Sequence, residues 1–512
     1  MKKFLKFITG RLFYFVLLVA LQIGVIIWVA LNFVSATSFY IPTIYFLVFV
    51  SVFILVSGED HPIFIVSWLM LRFVAPIIGL PFYMIFGNKR SSSKLRRQMA
   101  KYQEHYEKEM RIILPEPAGQ VRNSLMAEFP NFARQSDYIR NLTGSQLWEG
   151  TAVEYFPLGE DAFVRILEEV EKAQKFILFE SFIIAEGYMW ETMLSLLKRK
   201  AAAGVTVRLL YDDLGSIKST PSNYEHILRQ MGLKVGVFNR IQPHLDARLN
   251  YRDHRKLLVI DGNVGFTGGI NFADEYINRI IRYGHWKDTT VMLKGDAVWN
   301  LTLMFLQQWI FTTEEDVDFT AFVPTKSYPH DGFIQPFGDS PLDGENISEN
   351  AYIQMINHAQ RYVYITTPYL ILDTQMVTAL TIAAQSGVDV RIITPNFHDK
   401  WYVHPVTRSN YLPLLKAGIK IFEYTPGFMH AKMFVSDDEV AIVGTTNMDY
   451  RSFYLHFECG VIFFLSTVCL AVRNDIERTL EVSREVTLEE QESTPLVKRV
   501  ARAILKLFSP LM

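Results

Sequence analysis

His254, Lys256 and Asp261 are spaced His-x-Lys-x-x-x-x-Asp, and the same spacing returns at His430, Lys432 and Asp437. A neutral imidazole can act as a nucleophile or carry a proton, and an ammonium beside it can hold negative charge on a reacting group. A double occurrence, placed equivalently in a repeat, carries far less risk of coincidence than a single match. Residues 256–260 and 432–435 read as strands. Side chains two apart on a strand share a face, so His254 and Lys256 point the same way, as do His430 and Lys432. Asp261-Gly262-Asn263 and Asp437-Asp438-Glu439 read as tight turns into second strands at 264–266 and 440–443. Asp261 is an odd number of residues from His254 and need not face the site, so Asp261 and Asp437 count as members of the catalytic motif whose own role is mainly structural. Each second strand ends in a loop of small residues, Gly268-Gly269-Ile270-Asn271 and Gly444-Thr445-Thr446-Asn447. Such loops admit a phosphate close to the backbone, and the amides of Asn271 and Asn447 can donate to it.

The elements that must position these residues are themselves repeated. From about Tyr138 short apolar runs alternate with charged helical stretches. A helix precedes Phe176-Ile177-Leu178-Phe179, another ends at Ala201-Ala202-Ala203-Gly204, and Val205-Thr206-Val207-Arg208 follows. The order returns with Tyr362-Val363-Tyr364-Ile365, a helix ending at Ala383-Ala384-Gln385-Ser386-Gly387, and Val388-Asp389-Val390-Arg391. This is internal duplication. Alternating strands and helices predict an α/β fold of two repeated domains, each a sheet flanked by helices. We place the first at 136–317 and the second at 318–485, after a membrane anchor at 1–100 and a linker at 101–135, and before an amphipathic tail at 486–512.

The sequence resembles the phospholipase D superfamily, whose defining feature is a pair of such His-Lys-Asp motifs forming one active site. The likeness covers roughly residues 130–485. Within that superfamily, His254-Arg255-Lys256, Asp261-Gly262, Thr267-Gly268-Gly269-Ile270-Asn271, Asp274-Glu275-Tyr276 and Trp286-Lys287-Asp288-Thr289 are most similar to bacterial cardiolipin synthases. The segment Pro76-Ile77-Ile78-Gly79-Leu80-Pro81 also suits that family. Two features depart from it: Asp253 stands where the family usually has Asn, and an arginine-rich stretch around the motif is partly replaced. The resemblance implies two halves packed about a pseudo-twofold axis with both histidines at one phosphate. It also implies a carboxylate orienting each imidazole, for which Asp288, downstream of His254, and Glu458, downstream of His430, are the candidates.

A phosphodiester repels nucleophiles, so its site needs cations and donors. Lys256, Lys432, Asn271 and Asn447 can supply these with no metal and no cofactor. The implied reaction transfers a phosphatidyl group between two phosphatidylglycerol molecules, giving cardiolipin and glycerol. His254 is read as the nucleophile that forms a phosphohistidine, and His430 as the acid and base. The alternatives are a phospholipase D hydrolase or another phosphatidyltransferase, with a nuclease less favoured. Glu180 and the segment from Thr366 to Pro368 could line the site or serve the core. His285, His398, His404 and His456 show no zinc spacing and read as ordinary histidines.

Composition sets the surroundings. Half of the 512 residues are hydrophobic and the formal net charge is only −2, which gives no general attraction for nucleic acid. Residues 12–34 and 39–56 are apolar enough for two transmembrane helices, given the ~30 Å hydrocarbon core. Residues 63–86 contain Arg72, Pro76 and Pro81 and read as ending in an interfacial or re-entrant segment near 76–86. Basic clusters before the first span and after Phe86 then place the catalytic domains on the cytoplasmic side of the cell membrane. The expected partners are that membrane, phosphatidylglycerol and other anionic phospholipids. Val497, Val500, Ile504, Leu507 and Phe508 against Lys498, Arg502 and Lys506 form an amphipathic helix, suited either to an anionic membrane or to packing. Cys459 and Cys469 read as buried free thiols.

Overall fold

The computed structural model describes residues 62–74, 118–241 and 250–509, with a few isolated positions before residue 100. The first sheet has seven strands in the order Thr151–Phe156, Thr290–Gly295, Val264–Gly268, Leu257–Ile260, Phe176–Ser181, Thr206–Asp212, Lys234–Phe238. The second follows the same path with Phe333–Asp339, His456–Phe464, Val440–Gly444, Met433–Ser436, Tyr362–Thr366, Asp389–Pro395 and Lys420–Tyr424, then adds Ser483–Val486 at its edge. The duplication seen in the residues is therefore a duplication of strand order. In both halves the last three equivalent strands run parallel through helical crossovers, while the motif strands pair antiparallel. Gly204 and Gly387 end the corresponding helices with φ of 92° and 98°, a left-handed conformation that a glycine adopts without steric penalty.

The period-2 pattern of the motif strands decides the layering. Leu257 and Val259, with Met433 and Val435, face one central core shared by both halves. Leu258 and Ile260 face an outer core of the first half, and Phe434 an outer core of the second. The central core also takes in Trp299, Phe305 and Trp309 of helix Val298–Thr313 and Val472 and Ile476 of helix Thr467–Glu481. The two sheets thus meet through a continuous apolar layer, and removing this much apolar surface from water makes the packing of the halves part of folding. Cys459 and Cys469 are free and buried in it.

Residues 12–34, 39–56 and 76–86 lie outside the described residues apart from isolated positions. Among the described residues no helix is long and apolar enough to cross a membrane. Helix Pro62–Val74 docks on the second half: Phe64 meets Tyr450 and Tyr454 edge-on at 6.1 and 5.8 Å.

Candidate active site

Both motif histidines sit where one half touches the other. The His254 N–H donates to the carbonyl of Phe457 at 2.9 Å, and the His430 N–H donates to the carbonyl of Lys287 at 2.8 Å. Short parallel pairings, Arg252–Asp253 with His456–Phe464 and Gly427–Met429 with His285–Lys287, fix these contacts. In each case the next residue on the partner strand carries the carboxylate. Glu458 Oε2 lies 2.9 Å from His254 Nδ1, and Asp288 Oδ2 lies 2.6 Å from His430 Nδ1. The pairing is crossed: Asp288, expected beside His254, serves His430, and Glu458 serves His254. Chain proximity suggests pairs within one half, but the twofold-like packing lays each histidine on the other half's strand. A carboxylate at Nδ1 fixes the tautomer that leaves Nε2 as the reactive nitrogen.

The electrostatics follow from burial. Removal from water pushes the His254 imidazole well below its ordinary pKa, and the charges of Lys256, Lys432 and His430 push the same way. Burial brings His430 down to about 4, helped by Lys432 and opposed by Asp288. Both imidazoles are neutral near pH 7. Burial lowers Lys256 to about 8 against the pull of Glu458. It lowers Lys432 to about 7, with Asp288 opposing and Lys256 adding to the fall. Two desolvated amines with depressed pKa values would regain charge beside an anion. Lys256 Nζ donates to the His254 carbonyl. Lys432 Nζ lies 2.8 Å from His430 Nδ1 and 3.1 Å from Nε2.

The other sequence candidates take definite places. Asp261 accepts from the backbone N–H groups of Gln174, Lys175 and Phe176 at 2.7–2.9 Å. Asp437 does the same for Gln360, Arg361 and Tyr362. Each staples the loop that leads into a central strand. Asn271 accepts from the Ile183 N–H and donates to the Tyr276 hydroxyl at 2.7 Å, bonds that use its oxygen and one of its two amide N–H groups. Asn447 is buried, and its Oδ1 accepts no hydrogen bond among the described residues. The glycines make room for a carboxylate: a Cβ on Gly269 would stand 1.9 Å from Asp288 Oδ1. At the equivalent place in the second half, the Thr445 hydroxyl donates to Glu458 Oε2 at 2.5 Å. Glu180 lies beneath the first motif with its carboxylate 3.0 Å from Arg255, which also meets Asp253 at 3.3 Å. Thr366 donates to the Ala431 carbonyl, and Thr367 to that of Tyr369.

Three lining residues take no role in the sequence reading. Trp286 and Tyr276 wall His430, with ring centroids at 5.1 and 5.4 Å. His456, read as an ordinary histidine, stands 5.5 Å from the His254 ring, and its Nδ1 is 3.5 Å from the second oxygen of Glu458. Trp286 and His456 occupy equivalent positions two residues before the paired carboxylates, a signal present in the repeat. The donor atoms of His254, His456 and Glu458 lie within 4.8 Å of one another, the one group among the described residues that could hold a metal ion. Lys256 and Lys432 oppose a cation there, while His254 and Glu458 already satisfy each other.

A family model described as cardiolipin synthase, PLD-like domain, matches residues 166–281 and 352–480. The chain is similar to a protein named cardiolipin synthase of Halalkalibacterium halodurans, 33% identical over 470 residues, 91% of this chain and 92% of that one. An uncharacterized protein of Streptococcus mutans is 40% identical over 469 residues, 90% and 99% of the two chains. Among solved structures, phosphatidylserine synthase of Haemophilus influenzae superposes with a TM-score of 0.57 at 14% identity, covering 74% of this chain and 98% of that one. At that identity the likeness concerns the fold.

Proposed function

The chain belongs to the cardiolipin synthase, PLD-like family and is a phosphatidyltransferase acting on phospholipid to make cardiolipin; from that premise we propose how its residues divide the work. His254 Nε2 attacks the phosphorus of a first phosphatidylglycerol. The phosphorus–oxygen bond to glycerol breaks, and His430 gives its proton to the departing alkoxide. That step needs His430 protonated with substrate bound, and the incoming anion favours this by offsetting the two lysine charges. The phosphatidyl group is then held on His254. A terminal hydroxyl of a second phosphatidylglycerol attacks it, His430 takes the proton, and cardiolipin leaves with His254 restored.

The crossed histidine–carboxylate pairs carry this reading, because each supports the tautomer with a free Nε2 and stabilises an imidazolium as it forms. Lys256 and Lys432 offset charge on the non-bridging oxygens. Lys432 Nζ lies 2.8 Å from His430 Nδ1 and 3.1 Å from Nε2, beside the imidazole assigned here to proton transfer. Residues 12–34 and 39–56 anchor the chain in the cell membrane with the two halves on the cytoplasmic side.

The test is a reaction with phosphatidylglycerol labelled in its phosphate, quenched in alkaline detergent because a phosphorus–nitrogen bond to imidazole is lost in acid. Protein-bound label should appear in the parent protein and vanish in His254→Ala, while glycerol and cardiolipin form in equal amounts. Phosphatidic acid as the sole product would make the protein a hydrolase. Label retained in His254→Ala but lost in His430→Ala would exchange the two roles.

A further inference from the structure

The C-terminal helix Leu496–Lys506 is mounted with its polar side inward. Arg502 donates to Gln491 at 3.3 Å and Lys506 to Asn410 at 2.8 Å. Between them Leu505 packs on a small core of Ile371, Val403, Val406 and Tyr450, which Phe64 also touches. At 100° per residue Leu496, Val497, Val500, Ile504 and Leu507 fall on the opposite arc. That arc faces outward: Val497 is 80% exposed and Ile504 54%. A terminal helix that serves only packing would turn these residues in and its lysines out. The helix carries four basic residues and no acidic one; of these Lys498 and Arg499, both in the first turn, are exposed, and Arg499 flanks the apolar arc.

The apolar surface does not end with this helix. Ser67 of helix Pro62–Val74 donates to the Leu507 carbonyl at 2.9 Å, and the outer residues Val66 and Met70 of that helix are exposed. Helix Val403–Ser409 packs against the C-terminal helix through Val403, Val406 and Leu505, and the loop before it carries exposed Phe397 and a Trp401 that is 72% exposed. Its Lys400 covers the Tyr369 ring at 4.7 Å, and Tyr369 donates to Asp399. Lys400 stands near enough to the site for its charge to act on His254.

We propose that the outward face of helix Leu496–Lys506, continued by Phe397 and Trp401, inserts into the headgroup boundary of an anionic bilayer and sets the active site against the lipid surface. This rests on the phospholipid-substrate reading above and adds the route by which substrate arrives. The exposed Arg499 and Lys498 suit anionic headgroups, aliphatic residues suit the acyl boundary, and an exposed tryptophan suits the interface between them. The other possible occupants of this face are the chain's own N-terminal apolar segments and a second copy of the chain.

Single cysteines at Val497, Ile504 and, as a control, exposed Glu489 separate these. Cys459 and Cys469 are buried, so a polarity-sensitive dye labels the introduced thiol in the full-length protein. In phosphatidylglycerol vesicles, dyes at 497 and 504 should be quenched by lipid-borne nitroxides and shielded from iodide, while the dye at 489 stays open to iodide. Equal iodide access at all three positions overturns the proposal. Shielding at 497 and 504 from both quenchers also overturns it, and assigns the face to protein. The quench needs no turnover, so repeating it in His254→Ala separates failure here from failure of the catalytic reading. Val497→Glu with Ile504→Glu should lower turnover on vesicles on the order of tenfold and leave turnover in detergent-mixed micelles unchanged. An equal loss in both would sink the link to the bilayer.

Discussion

His254 Nδ1 lies 2.9 Å from Oε2 of Glu458, 204 residues further along the chain, and the matching His430–Asp288 pair reaches back across 142 residues. Each imidazole is therefore oriented by the half that did not supply it. Replacing either carboxylate by its amide removes the charge that stabilises an imidazolium and allows the wrong tautomer. Glu458→Gln and Asp288→Asn should each lower kcat by roughly 10³–10⁴-fold, as in other carboxylate–histidine pairs, with an unchanged circular dichroism spectrum. If His254 is the nucleophile, Glu458→Gln should also slow the appearance of protein-bound phosphate. Asp288→Asn should slow its discharge as well. Rapid-quench kinetics on both variants check this.

The pH profile should be displaced toward acid. The histidines are held down, His430 to about 4, so the free enzyme keeps neutral imidazoles well below pH 6.5. The lysines are also held down, Lys432 to about 7 and Lys256 to about 8, so each loses its charge as pH rises through that value. With the charges go the contacts to the phosphate oxygens, and kcat/KM should fall as pH climbs from 7 to 9. Lys432→Arg keeps its charge over that range and should flatten the fall; kcat/KM measured from pH 5 to 9 gives the comparison. A profile that still rises between pH 7 and 9 in the parent protein would contradict the buried-lysine account.

Asp261 and Asp437 should matter to stability before chemistry. Each accepts three consecutive backbone N–H groups, and Ala leaves these donors to find water. A loss of about 2–4 kcal/mol is expected for either variant, read as a lowered urea midpoint. The surviving folded fraction should keep most of its specific activity.

Gly269→Ala is the sharpest steric test. The new Cβ would meet Asp288 Oδ1 at 1.9 Å, so the carboxylate must swing away from His430. Turnover should drop by at least tenfold, on the scale seen when a catalytic group is misplaced by about 1 Å. Gly269→Ser should not rescue it, although the equivalent Thr445 is compatible with Glu458 in the other half.

The motif residues and the duplicated sheets were legible because strand alternation and repeated segments are local signals. His254 and Lys256 share a face for the same reason that Leu257 and Val259 share a core. The crossing of Asp288 and Glu458 was not legible, since it depends on how two sheets meet, and nearness in sequence points to the wrong partner. Tyr276 and Trp286 stand in the sequence only as parts of family-like segments and His456 as an ordinary histidine, because their residue types are unremarkable until packed beside an imidazole. The C-terminal helix shows the same limit: its two faces were readable from spacing, but which face meets the body was not.

The backbone bonds from His254 to Phe457 and from His430 to Lys287 mean that neither motif is complete alone. A nascent first half leaving the ribosome, or a fragment cut between the sheets, would present an imidazole with no partner carboxylate and no second lysine. The constellation of two histidines, two lysines and two carboxylates would then be complete only after the halves have docked.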